Sequence, residues 1–327
     1  MKAGKLSQSV LKRSVFKQLH KRRDEVISGA GIGMDAAVLS FAKDEMTVAS
    51  CDPVTLASSD FGTHGVFLAL NDVASMGAEP VGILVNLLVP TIWNEASLRE
   101  LMKEIDSVCE SVNVEVVGGH TEVSKAIKEP LLTIFAVGKV KEGQQVSSKG
   151  VKPGMDILVT KWVGLEGTAI LAKEREEALR SRYAQPFIDE AKTFLQYLSI
   201  IPEAAVAIKS GACAMHDVSE GGIFGALWDM AESAGVGLEI DLKRIPIRQE
   251  TVEICEFFDR NPYKLLSGGS LLIATKDGNA MVRELEKNGI AATIIGKATD
   301  SNDRVLINED ERRFLETTQT DELYGLD

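Results

Sequence analysis

A basic surplus, closely spaced cysteines and long apolar runs are all missing from this sequence, and each absence removes a class of function. Its 327 residues carry 36 Lys and Arg against 48 Asp and Glu, a formal net charge of −12. Nucleic-acid binding needs a basic footprint, so no nucleic-acid partner is expected. The four cysteines, Cys51, Cys109, Cys213 and Cys255, are far apart and form no CxxC pair. They read as reduced thiols of a cytoplasmic protein, not as disulfides or a structural zinc site. The longest apolar run, Val81 to Pro90, is strand-sized, so no membrane role is expected either. The basic N-terminus lacks the apolar core and cleavage site of a secretory signal. What is present is a globular balance, 45% hydrophobic and 26% charged, in a chain long enough for two domains. The acidity also constrains ligands. Such a chain can hold a polyphosphate beside its own carboxylates only with divalent cations between them.

The chain is organised around DFGTHGVFLALNDVASMGAEP, residues 60–80, which reads as a loop, a helix and a tight turn into a strand. Gly62 and Gly65 are expected to loosen its start. Asn71 and Asp72 interrupt the apolar helix, and a carboxylate there is costly unless it is paired or metal-bound. Before it, residues 6–20 read as a helix with Arg13, Lys17 and His20 on its solvated side. SGAGIGMDAAVLSF (28–41) reads as a flexible glycine loop feeding a strand. It is neither a dinucleotide fingerprint nor a P-loop, because Met34 stands where a third glycine belongs and no Gly-Lys-Ser/Thr follows. A strand at 46–51 ends at Asp52-Pro53. After the organising stretch come a strand at 81–89, an N-cap at Asn94 and a helix striped by Leu98, Leu101, Met102, Ile105, Val108, Cys109 and Val112. A strand at 114–117 runs into GGHTEV, read as a turn, and 130–140 is a further strand. The polar run 142–156 marks a boundary, giving domains at 1–148 and 149–327. The second half reads as mostly helical over 164–200, with the charged run KEREEALRSR on a solvated face. It continues with a helix from Pro202 and a strand at 212–215 ending in HDVSEGG. A helix at 223–234 follows, then strands at 237–241, 270–275, 291–295 and 304–308, with a helix at 278–289. The last ten residues are polar and acidic and read as a loose end.

Four acids stand at turns or inside the organising helix: Asp35, Asp52, Asp72 and Glu122. Hard oxygen ligands spread over several segments suit Mg²⁺, which keeps waters and bridges phosphates. Gly118 and Gly119 would let backbone N–H groups approach a phosphate, and Thr121 could donate a hydroxyl. Ser219, Gly221 and Gly222 precede a helix, a natural anion site. Together these describe a nucleoside triphosphate held by metals. Each piece also has a plainer reading as a turn.

GIGMDAAV, DP, NDVASMGAEP, VGGHTEV, HDVSEGGI and SGGSLL, in this order, resemble the aminoimidazole ribonucleotide synthetase (PurM-like) superfamily over nearly the whole chain. That superfamily includes the hydrogenase maturation protein HypE, thiamine-monophosphate kinase, selenophosphate synthetase and formylglycinamidine synthetase. The resemblance is nearest to HypE and HypE-like proteins. It implies a two-domain α/β (α+β) fold whose N-terminal sheet domain dimerises and whose C-terminal domain is α/β. It implies ATP and Mg²⁺ as cofactors and phosphoryl transfer to, or activation of, an oxygen of a small or protein-borne acceptor. Carried over by motif, Asp35, Asp52, Asp72 and Glu122 match metal positions, and Gly33, Asn71, Gly118, Gly119, Thr121, Ser219, Gly221 and Gly222 match nucleotide contacts. His120 is the candidate catalytic group, while structural roles are expected for His64 and His216. Three departures stand out. Met34 replaces one of two acids common in the family, and Cys51 precedes Asp52 where a threonine is usual. The sequence ends DELYGLD, with Cys255 its last cysteine, so HypE's reaction on its own C-terminal cysteine is not expected. The alternatives are a small-molecule kinase resembling thiamine-monophosphate kinase and a nucleotide-binding accessory protein without catalysis.

Overall fold

The structure is a computed structural model that describes residues 1–55, 59–317 and 320–325. It divides into two compact units. The first comprises Met1–Val73 and Ala78–Gly143, the second Ala74–Gly77 and Gln144–Asp327.

In the first unit the elements are β1 (Gly4–Lys5), α1 (Gln8–Ser14), β2 (Val26–Ser28), β3 (Val38–Leu39), β4 (Glu45–Pro53), α2 (Phe61–Ser75), β5 (Glu79–Pro90), α3 (Glu95–Ser111), β6 (Glu115–Ser124) and β7 (Leu131–Lys141). A five-stranded sheet has the order β1-β6-β5-β7-β4, with only β5 and β6 parallel. β7 alternates strictly: Leu132, Ile134 and Ala136 are fully buried, while Leu131 and Phe135 are 38% and 41% exposed. This is the pattern of a sheet with one face on a core. The covering helix is α2. A Cβ at Gly65 would come within 2.6 Å of Val54 and 3.2 Å of Leu132, so this helix lies close on the sheet. Gly62 and Gly65 therefore sit inside the helix, and at Gly65 the missing side chain serves contact, not looseness. α3 forms as its stripe predicts. Asn94 Oδ1 accepts from the N–H groups of Ala96 and Ser97, and Leu98, Leu101, Met102, Ile105 and Cys109 are buried. The expected helix over 6–20 is shorter, ending at Ser14 before a separate turn of 3₁₀ helix at Phe16–Gln18.

GGHTEV is not a turn. β6 runs unbroken through it, paired from Gly118↔Leu84 to Ser124↔Pro90 along β5. Gly119 has φ +146°, and a Cβ there would stand 2.0 Å from the Val85 carbonyl oxygen. The glycine thus allows a strand to continue where any other residue would break the pairing.

The second unit contains β8 (Asp156–Thr160), α4 (Leu165–Glu174), α5 (Glu176–Leu179), α6 (Gln185–Lys192), α7 (Ile201–Lys209), β9 (Ala214–Val218), α8 (Gly222–Ala234), β10 (Gly237–Asp241), α9 (Gln249–Phe257), β11 (Ser270–Thr275), α10 (Gly278–Lys287), β12 (Ala292–Thr299), β13 (Arg304–Asn308) and β14 (Glu311–Phe314). Its seven-stranded sheet runs β14-β13-β10-β12-β8-β11-β9. Leu272 and Ala274 pack with α8 residues such as Phe224 and Leu227, while Leu271 and Ile273 pack with Ala204, Met281 and Leu285 from α7 and α10. β11 is accordingly buried at all six positions. No helix among the described residues is long and apolar enough to cross a membrane.

Candidate functional site

The candidate residues of the first unit lie on both faces of the sheet: Asp52, Asp72 and Thr121 on the helix-covered side, His120 and Glu122 on the open one. Residues paired across strands point to the same side. On the helix-covered side, β4 places Ser50 and Asp52 two residues apart, and Asp72 comes down from α2. Ser50 Oγ donates within 2.9 Å of Asp52 Oδ2 and 2.5 Å of Asp72 Oδ2. A hydroxyl has one hydrogen, so it can serve only one carboxylate at a time. Two carboxylate oxygens thus converge on one small group. Asn71, also in α2, is buried at 4% exposure.

On the open side, His120 and Glu122 project from β6 beside Asn86 and Leu88 of β5. His120 Nε2 lies 3.2 Å from Glu122 Oε2, and both side chains are nearly half exposed. A cavity of about 840 Å³ gathers six of the expected residues: Gly33 and Asp35 from the glycine loop, and Gly118, Gly119, His120 and Thr121 from β6. Its far wall is apolar, from Leu11, Val15 and Phe16 of the N-terminal segment. Asp52, Asp72, Asn71 and Glu122 are not among its lining residues. The four acids therefore do not form one cluster. Register places Asp52 in a row with Ile134, Val85 and Gly119, three strand spacings or about 14 Å from the glycine strand. Among the described residues no three or more His, Cys, Asp and Glu side chains are grouped to hold a metal ion. The donor chemistry of the Asp52–Ser50–Asp72 group still fits Mg²⁺. It is all hard oxygen, and this ion is usually held by one or two carboxylates with water and phosphate completing the shell.

In the second unit, the turn 219–222 is engaged by its own chain. The Gly221 N–H donates to Asp321 Oδ2 at 2.8 Å, and the Ser219 carbonyl accepts from the N–H groups of Gly222 and Ser267. A Cβ at Gly222 would meet the carbonyl oxygens of Tyr263 and Leu265 at 2.6 and 2.8 Å, so the 263–265 backbone lies directly against it. His216 Nδ1 is 2.6 Å from the Asp217 carbonyl oxygen, and His64 is buried in α2.

The thiols differ sharply. Burial pushes Cys109 and Cys255 up to about 12, which suppresses the thiolate. Cys51 is exposed, on the open sheet face opposite Phe135. Sequence reasoning passed over Ser50. Its signal is the Ser-x-Asp spacing, which puts both side chains on one face of a strand. It also missed Asp321, whose acidic surroundings read as solvated.

Two family models match the chain. The N-terminal domain of AIR synthase related protein matches residues 33–140, and the C-terminal domain matches residues 152–308. The "Putative hydrogenase expression/formation protein" of Methanocaldococcus jannaschii is 28% identical over 320 residues, covering 93% of this chain and 91% of the relative. The carbamoyl dehydratase HypE of Rhodobacter capsulatus is 26% identical over 291 residues, covering 87% and 82%. Among solved structures, the hydrogenase maturation protein HypE in complex with ATP superposes with a TM-score of 0.79 at 18% identity, covering 96% of this chain and 95% of the other. Two matched domains that span most of the sequence, on a fold shared end to end with a solved member, lead to one conclusion: the chain belongs to the AIR synthase related protein family, with HypE proteins among its relatives.

Proposed function

We propose that this protein is an ATP- and Mg²⁺-dependent, HypE-like enzyme that activates an oxygen of a small or protein-borne acceptor by phosphoryl transfer. The observation that carries this reading is the pair Asp52 and Asp72, drawn onto the single hydroxyl of Ser50. Two carboxylates from different elements turned to one small hydroxyl offer a divalent cation the hard oxygen ligands it prefers. They would hold Mg²⁺, with Ser50 fixing their spacing. Bound there, the ion supplies charge neutralisation for the triphosphate and orients its oxygens. The cavity beside the glycine strand supports the nucleotide reading. Gly33, Asp35, Gly119 and Thr121 are among its lining residues, and Asp35 would be a further acid beside a phosphate bound there. Glu122 lies on the face that His120 shares and stands beside it as a second metal or orienting group. In the transfer step the acceptor oxygen bonds to the γ-phosphorus, the bond to the β–γ bridging oxygen breaks, and ADP leaves with that electron pair. His120 and Glu122 lie on the opposite face of the sheet from Asp52 and Asp72, so within one chain His120 is not placed to take the acceptor's proton at a phosphate held by that pair.

The open sheet face of the first unit favours a homodimer. On this face Phe135 pairs with Leu84 and Leu131 with Leu88, with Asn86 and Thr133 between them, a partly apolar surface that a second copy would cover. Light scattering with Phe135→Glu tests this: a dimer that becomes a monomer supports it, and an unchanged mass sinks it.

Calorimetry with ATP, in Mg²⁺ and in EDTA, tests the metal-bridged reading. Binding should vanish in EDTA. Equal affinity in both buffers would remove the bridging cation and the reading with it. ADP formation on adding candidate acceptors, including a carbamoylated peptide thiol, then separates an enzyme from a nucleotide-binding accessory protein.

A further inference from the structure

Lys5 is the one Lys or Arg among the residues that line the cavity of about 840 Å³. β1 carries it to the edge of the first sheet, where it pairs with Glu122 of β6, so both side chains take the open face. Glu122 is the natural partner for a cation placed there, yet its Oε2 lies 3.2 Å from His120 Nε2 instead. Among the described residues Lys5 makes no ion pair and no side-chain hydrogen bond. His120 stands two residues before Glu122 on the same face, which makes it a diagonal neighbour of Lys5 at roughly 7–8 Å. Asn86 of β5 pairs directly with His120, and all three residues line the cavity. A row of three polar side chains thus crosses β1, β6 and β5 beside one hollow.

We propose that Lys5, His120 and Asn86 form a metal-independent site for a phosphate group on the open face of the first sheet, with Lys5 as its charged anchor. The site is separate from the Asp52–Asp72 pair, which lies on the helix-covered side and calls for a cation. The phosphate can belong to the nucleotide or to the acceptor, so the inference deepens the reading of this cavity without resting on the bridging metal.

The chemistry of the row selects the ligand. An ammonium, an imidazole whose Nδ1 has no partner among the described residues, and a carboxamide have one capacity in common: each can donate to an anionic oxygen. A phosphate monoester presents three terminal oxygens, one for each donor, whereas a carboxylate presents two. Asp35 is the one Asp or Glu in the same lining and would repel an anion, a cost that the Lys5 charge offsets. The far wall of Leu11, Val15 and Phe16 is apolar, and a low local dielectric strengthens a charge-assisted hydrogen bond made beside it.

Inorganic phosphate is the probe, titrated into the full chain in EDTA at constant ionic strength and followed through the amide NMR signals of Lys5, Asn86 and His120. Phosphate should shift these signals, and in Lys5→Gln its affinity should fall about tenfold or more. Lys5→Arg keeps the charge and should stay within about threefold of the wild type. Lys2→Gln removes a charge from the same segment but outside the cavity lining, and it should leave the affinity unchanged. Signals that ignore phosphate overturn the proposal. Equal affinity in the wild type and Lys5→Gln overturns it too, and so does an equal loss in Lys2→Gln, which would make the effect one of general charge. Adding Mg²⁺-ATP then identifies the source, and either result supports the site: competition assigns the bound group to the nucleotide, and simultaneous binding assigns it to the acceptor. Because the phosphate titration contains neither metal nor nucleotide, the metal-bridged reading can fail while this site stands, and this site can fail while that reading stands.

Discussion

β7 and β11 are each the last strand but one of their sheets, and they are buried in opposite ways. β11 is covered on both faces, so each of its six residues is core. β7 alternates, with Phe135 and Leu131 standing on an uncovered face. The second sheet is completed by its own helices, whereas the first is completed on one side only. The unfinished face, not the finished one, carries His120 and Glu122, and the covered side of the same sheet carries the Asp52–Ser50–Asp72 group. The lesson is about allocation. One domain commits its sheet to stability, and the other keeps polar groups within reach by leaving a face open.

Substitutions on the two strands should break this comparison in opposite ways. The largest effect is expected from Ile273→Ala in β11. It deletes fully buried atoms between α7 and α10 and should cost about 2–5 kcal/mol in denaturant unfolding. Phe135→Ala in β7 should leave monomer stability within about 0.5 kcal/mol and act on self-association instead. If the two variants destabilise equally, the open face is core by another route and the contrast fails.

Next in size is Asp72→Asn. Shape is kept while one of the two charges facing Ser50 is lost, so Mg²⁺-ATP affinity should fall at least tenfold, about 1.4 kcal/mol. The fold should survive, because Asn keeps the shape of Asp and an oxygen that can still accept from Ser50. A variant that unfolds, with the folded remainder binding normally, would make Asp72 structural.

Where the sequence could be read, a periodicity or a cap made it readable. The α3 stripe and Asn94 fixed that helix almost to the residue, since burial on one face leaves a 3.6-residue signature. VGGHTEV misled because two glycines and a histidine normally punctuate a chain. Here the pairing with β5 overrides local preference, and Gly119 accepts a backbone shape other residues avoid. Asp52 and Asp72 were legible as acids at suggestive places. Their meeting at Ser50 was not, because it needs the packing angle of α2 on the sheet. Nor was the split of the four acids, since which face a strand residue takes depends on register, and register is set by neighbouring strands. Asp321 was hidden for a similar reason: its burial comes from partners far away in the chain.

A smaller effect concerns acid stability of the open domain. Glu25 is held down to about 2, first by its hydrogen bond with Arg23 and then by Lys139, against the cost of burial. Its folded value lies below the unfolded 4.5, so its contribution is present above pH 4.5 and is lost as pH falls toward 2. Thermal unfolding of the wild type and Glu25→Gln should therefore differ at pH 6 and converge near pH 2. A constant difference across that window would mean that Glu25 acts through shape and not charge.

The smallest effect on activity, and the finest test of the two sheets, comes from the thiols. Cys51 lies on the open face, opposite Phe135, while Cys109 and Cys255 sit in closed cores with thiols pushed up to about 12. Alkylation of the native protein should modify Cys51 and the half-exposed Cys213 and leave Cys109 and Cys255 unmodified until denaturant is added. If a second copy covers the open face, Cys51 labelling should also slow as protein concentration rises, while Cys213 labelling should not. Labelling of Cys51 that ignores concentration would mean that the strip around Phe135 stays uncovered. Cys51→Ser should leave ATP turnover unchanged, because the chemistry proposed here runs through oxygen ligands and an oxygen acceptor. Loss of turnover in that variant, with Mg²⁺-ATP binding intact, would replace this picture with one in which Cys51 carries the transferred group. The open face would then be a catalytic surface in its own right.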